Sequence, residues 1–129
     1  MGKLLKASEK FTVTAPDLEI TNIGPVSTTT FGRQKIFVNV KNVGSAELNN
    51  ASARVVCQAH GISRFDPNKI DNQFSEEWIN INLSAGGESS FNPSIEIEIS
   101  TYSYDFVNCY IYLTVDPNQN NNWFTISIP

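Results

Sequence analysis

Residues 106–116 read FVNCYIYLTVD. Val107, Cys109, Ile111, Leu113 and Val115 fall on every second position, with polar or aromatic residues between them. Successive side chains of a β-strand point to opposite faces, so the run predicts a strand with one face in a core. A slip of one residue would turn that whole apolar set outward, so its register is well specified. The same alternation recurs on either side. Phe11, Val13 and Ala15 alternate before Pro16, Leu18 and Ile20 alternate in DLEITNI, and Ile36, Val38 and Val40 alternate before the turn NVGSAE. Ala53, Val55, Cys57 and Ala59 form another set, as do Ile79, Ile81 and Leu83 before Gly86-Gly87. Ile95, Ile97 and Ile99, then Phe124, Ile126 and Ile128, complete the pattern. Seven or eight regularly spaced strands without a helical period predict an all-β antiparallel sandwich of two sheets. The stretch GISRFDPNKIDNQFSE (61–76) has no clear period and leaves open a short helical turn or an edge strand.

The chain has 129 residues, the size of one domain. Its net charge is −4 and its nine Lys and Arg are scattered, which argues against nucleic acid as a partner. No apolar run approaches the ~18 residues of a membrane span, so no membrane insertion is expected. The opening residues MGKLLKASEK lack the apolar segment of a signal peptide, so the expectation is either a cytosolic product or a piece trimmed from something longer.

Four short stretches occur in a telling order: PDLEITNI (16–23), IFVNVKNVGSAE (36–47), INLSAGGESS (81–90) and YLTVDP (112–117), with Asn-Asn before the final strand. In that order they resemble CARDB domains, a family named for bacterial cell-adhesion-related proteins. The resemblance spans residues 16–128. It departs at a second Gly before Glu88, at a missing acidic stretch after Val-Asp-Pro, and at residues 61–76, which look like an insertion. It implies an immunoglobulin-like sandwich of a secreted or surface protein, without enzyme activity or cofactor. The chain divides accordingly into an N-terminal arm (1–15) and a CARDB-like domain (16–129).

Parity then sorts the outward residues. With strands at 17–23, 34–42 and 93–100 in one sheet, Lys35, Phe37, Asn39 and Lys41 face outward beside Glu96 and Glu98, as a solvated charged face. With strands at 51–60, 105–116 and 122–128 in the other, the outer face carries Arg54, Val56, Gln58, His60, Tyr110, Tyr112 and Trp123. Tyr and Trp combine apolar area with a polar tip and favour interfaces. Tyr110, Tyr112 and Trp123, with Val56 and Arg54, are therefore a candidate binding face; the alternative is that aromatics simply suit strands.

Catalytic chemistry finds little support. His60 is the only histidine, and alternation puts it on the opposite face from Cys57. Cys57 and Cys109 both point to the core from neighbouring strands of one sheet, whereas the antibody-domain bridge links opposite sheets. Two buried thiols are expected. The carboxylates Asp66, Asp71, Glu76 and Glu77 read as part of a solvated loop. Asp116, Asn118 and Asn120 have the spacing of the first calcium-loop ligands, but Asn121 and Ser127 stand where that loop needs Gly and Glu. VDPNQNNNW (115–123) reads instead as a hairpin connection, and no metal or other cofactor is expected. Phe11 and Val13 give the arm a strand pattern that would suit joining subunits by strand addition.

The sequence therefore supports a non-catalytic structural or adhesion module of a surface or extracellular protein, acting through protein–protein contacts. The alternatives are a self-assembling virion or filament subunit using its arm, and a carbohydrate-binding module using the aromatic face to take glycans.

Overall fold

The computed structural model describes residues 15–27, 32–116, 120 and 122–129. Among them lie eight strands: β1 (Leu18–Pro25), β2 (Gln34–Asn42), β3 (Leu48–Ser63), β4 (Ile70–Leu83), β5 (Glu88–Phe91), β6 (Glu96–Ile97), β7 (Tyr102–Tyr112) and β8 (Trp123–Ile128). They form the expected sandwich. One sheet has the order β1-β2-β5, with β6 also paired to β2, and the other has the order β4-β3-β7-β8. The apolar parity sets meet between the sheets: Leu18, Ile36, Val38, Val55, Val107 and Ile111 are fully buried. Each such side chain contributes roughly 1.5–3 kcal/mol through burial.

Residues 61–76 contain no helical turn. They are the distal half of a β3–β4 hairpin paired from Leu48↔Leu83 to Ile62↔Ile70, which makes β4 an edge strand. Of the strand expected at 93–100 only the two-residue β6 forms, and another short strand, β5, precedes Pro93. Pro93 has no N–H to give to a ladder; beside it, Asn92 Nδ2 donates to the Ile36 carbonyl at 2.8 Å. Core parity survives the interruption, since Ile95 and Ile97 are fully buried. Val115, expected in the core, is 61% exposed because β7 ends at Tyr112 and a turn follows, closed by Asp116 N–H to Leu113 O at 3.0 Å.

The cysteines also correct the expectation of free thiols. Cys57 and Cys109 are direct cross-strand partners, with Cα atoms 4.1 Å apart, and they form a disulfide. So close an approach marks a non-hydrogen-bonded antiparallel pair, where facing side chains come nearest. The bridge spans a sequence separation of 52 residues. Closing a loop of that size stabilises by about 4 kcal/mol in the chain-entropy account.

The motifs of the CARDB resemblance converge at one end of the sandwich. The Asn42 side chain, fully buried, accepts the N–H of Asp17 at 3.2 Å and of Gly44 at 3.1 Å, and donates to the Ala46 carbonyl at 2.8 Å. Its backbone bonds Gly86 and Gly87. Gly44 allows the chain to pass, because a Cβ there would lie 2.2 Å from the Ala15 carbonyl oxygen. Asp116 Oδ2 accepts the Leu18 N–H at 2.9 Å. Buried backbone groups need such partners, so these motif residues hold the end of the fold together.

Candidate binding face

The outer face of β4-β3-β7-β8 is built from cross-strand rows. Arg54 on β3 lies opposite Trp78 on β4 and Tyr112 on β7. Val56 lies between Glu76 and Tyr110, and Tyr110 pairs onward with Trp123 on β8. Gln58 lies between Phe74 and Asn108, and Asn108 pairs with Thr125. His60 lies between Asn72 and Phe106. Neighbouring strands are about 4.8 Å apart, so each row places its side chains within contact range.

All five residues read as a binding face, Tyr110, Tyr112, Trp123, Val56 and Arg54, thus share one surface. Sequence reasoning missed three more aromatics on it: Phe74, Trp78 and Phe106. Phe74 is 67% exposed, Trp78 66% and Trp123 54%, so large apolar area faces solvent. Both tryptophans of the chain stand on this face. The missing signal was present: counting back from the inward set Ile79, Ile81 and Leu83 turns Trp78, Glu76 and Phe74 outward.

Charges on the face are matched internally. Arg54 Nε lies 3.2 Å from Glu76 Oε2. Both side chains are about half exposed, so the pair contributes at most about 1 kcal/mol; its effect is to neutralise the centre of the face. At the other end a register shift between His60 and Gly61 makes room for Asp105. His60 Nδ1 donates to Asp105 Oδ1 at 2.6 Å, and its ring stacks on Phe106 with centroids 6.0 Å apart. That hydrogen bond holds the Asp105 carboxyl below the ordinary range.

The inner side of distal β4 is polar where an ordinary strand would be apolar. Asp71, read as a loop carboxylate, is buried. Its carboxylate accepts Tyr104 O–H at 2.5 Å and Gln73 Nε2 at 2.8 Å, with Arg33 at 3.4 and 3.5 Å. Burial pushes this carboxyl up, but the hydrogen bonds from Tyr104, Gln73 and Arg33 outweigh it and hold it below the usual Asp value. Burial, then the bond to Asp71, pushes the Tyr104 phenol well above its usual value. Tyr104 O also accepts the Glu98 N–H at 2.9 Å. Farther along, Glu77 Oε1 accepts the Ser94 N–H at 3.0 Å. Gly61 leaves space for the Tyr104 ring, since a Cβ would come within 2.8 Å of it. These bonds moor the hairpin that carries Phe74 and Trp78.

The other sequence candidates separate. Phe11, Val13 and Asn118 lie outside the described residues. Asn120 is exposed, whereas Asp116 is buried and spends a carboxylate oxygen on β1. Cys57 is bridged and turned away from His60, so no Cys-His pair forms. Among the described residues no group of three or more His, Cys, Asp or Glu is placed to hold a metal ion.

No family model and no curated protein matches the chain. Among solved structures, the chain is similar to a CARDB domain from Pyrococcus furiosus, solved in complex with di-metal ions. The two share 21% identity and a TM-score of 0.52, over 91% of this chain and 90% of that one. A β-glucosidase from Kluyveromyces marxianus aligns with a TM-score of 0.30 and 13% identity over 90% of this chain and 14% of that chain, too slight a likeness to bear on the fold. The CARDB resemblance read from the sequence therefore holds at the level of the fold: the chain is an all-β sandwich similar in fold to that CARDB domain.

Proposed function

We propose that this domain is a non-catalytic adhesion or spacer module of a surface or extracellular protein, making protein–protein contacts through the outer face of β4-β3-β7-β8. One observation carries the reading: Phe74, Trp78, Tyr110, Tyr112 and Trp123 share a sheet face whose charges are already paired. Desolvating such a face costs less than burying unpaired charges, because Arg54 has Glu76 beside it and Asp105 has the His60 N–H, while its aromatics supply the area that interfaces favour. The disulfide supports an oxidising compartment, where such bridges persist. The CARDB-like fold agrees with a module that joins or spaces other parts.

The test is retention on beads carrying the full chain, offered secreted and cell-surface proteins and, separately, neutral glycans. The expected result is a protein retained by the wild type, weakened at least tenfold by Trp78→Ala with Trp123→Ala, and unaffected by Lys35→Ala with Lys41→Ala on the other sheet. Equal retention by the two double variants overturns the proposal. Retention of glycans alone transfers the face to the carbohydrate-binding reading.

A further inference from the structure

A second feature lies at an open side of the sandwich, away from the aromatic face. There lie β4, the edge of one sheet, and β5, the edge of the other, which line a common groove. Between them is a groove with a cavity volume of about 120 Å³, lined by Val40, Ile79, Ile81, Leu83, Ser89 and Phe91 together with Asn80 and Asn82. The opposite side of the sandwich is closed, because β1 packs against β7 and β8.

Both walls of the groove have hydrogen-bonding capacity to offer. Cys57 and Cys109 form a close, non-hydrogen-bonded pair, so the alternation of an antiparallel ladder directs the Cys57 backbone toward β4. The same alternation points the N–H and C=O groups of Asn80 and Asn82 away from β3, toward the groove. Among the described residues, no strand pairs with the outer edge of β4 or of β5. An apolar slot flanked by open strand edges is the recognition chemistry of strand addition: main-chain bonds hold the guest and pockets take its alternate side chains.

The chain itself contains a segment of that chemistry. In residues 9–15, EKFTVTA, Phe11, Val13 and Ala15 alternate with two threonines. The described chain begins at Ala15, across β2 from β5. The Ala15 carbonyl accepts Ser45 and Ala46 N–H, three residues and more beyond Asn42 at the end of β2. Ala15 thus lies on the β1 flank of β2, while β5 lies on the other flank, two strand spacings or about 10 Å away. Val13 is two residues from Ala15 and reaches at most about 7 Å. The groove also lies farther back along β2, at Val40.

We infer that the groove between β4 and β5 receives the arm of a second copy of this chain, with Phe11 and Val13 seated against Ile79, Ile81 and Phe91. This joining is independent of the aromatic face and leaves that face free. Sedimentation equilibrium on the full-length protein tests it, with folding checked by circular dichroism. Wild type is expected to associate, while Phe11→Asp with Val13→Asp gives monomers. Ser89→Trp, which fills the groove, also gives monomers, and Asn80→Pro, which removes an edge N–H, provides a second groove variant. Mixing the arm variant with a groove variant restores association, because each supplies what the other lacks. A monomeric wild type, association that survives the arm substitutions, or a mixture that stays monomeric overturns the inference.

Discussion

The two sheets show the solvent opposite kinds of surface. On the outer face of β1-β2-β5, Lys41 sits between Glu19 and Glu88, and Lys35 lies opposite Glu96. Its aromatic, Phe37, is partly covered because its ring rests against Gly24. On the outer face of β4-β3-β7-β8, charges are few, Arg54 is paired with Glu76, and Phe74, Trp78 and Trp123 stand open. Water satisfies the first face; the second turns large apolar area to it. The difference is sharpest along β4. Its C-terminal half turns Ile79, Ile81 and Leu83 inward, as a half-buried strand should. Its N-terminal half keeps the same parity but turns Asp71, Gln73, Ser75 and Glu77 inward and Ile70, Phe74 and Trp78 outward. An edge strand with its polarity reversed has a stability cost that only bonds such as Asp71–Tyr104 offset. The proposed contact surface would account for that reversal.

The comparison can be broken by loosening the frame beneath the aromatic face. Cys57→Ser with Cys109→Ser should cost the most, about 4 kcal/mol, read as a lower midpoint in urea. Asp71→Ala comes next, because it leaves the buried Tyr104 hydroxyl without its acceptor; the expected loss is about 1–3 kcal/mol. Amide exchange should then accelerate in residues 61–76 before it does in β1 and β2. The pH dependence has a definite sign. The Asp71 carboxyl lies below its unfolded value, so its stabilisation is complete above the unfolded pKa of about 3.9. It is lost as pH falls through the folded value, and Asp71→Asn should flatten that part of the acid limb. Gly61→Ala should cost roughly 1–3 kcal/mol by forcing the Tyr104 ring to move. Lys41→Ala, at the centre of the charged face, should change stability by no more than about 1 kcal/mol. Trp78→Ala should lie within about 0.5 kcal/mol of wild type, because an exposed side chain holds little of the fold together. A large loss there would mean that Trp78 serves the core and not a partner.

Strand parity made most of the fold legible. The run around Cys109 fixed which residues face inward, and the sheet partition followed. Parity also found Tyr110, Tyr112 and Trp123. It failed where local chemistry overrode periodicity. The distal hairpin was hidden because its apolar residues point outward, so its pattern resembles a polar loop. The disulfide was hidden because alternation gives the face of a cysteine but not its partner across the strand, which depends on register. Val115 left the core because the strand ended one turn early, at a boundary that alternation does not mark. The motifs behind the CARDB resemblance proved to be fold chemistry: Asn42, Gly44 and Asp116 close one end of the sandwich. What is particular to this chain lies outside them.

Both tryptophans stand on the aromatic face, so the fluorescence of the unmodified protein reports on that face alone. The most direct test of the account is acrylamide quenching of that fluorescence, in the free chain and with a retained protein bound. The account predicts ready quenching of Trp78 and Trp123 in the free chain and strong shielding in the complex. A complex that forms with quenching unchanged would place the contact elsewhere and contradict the account.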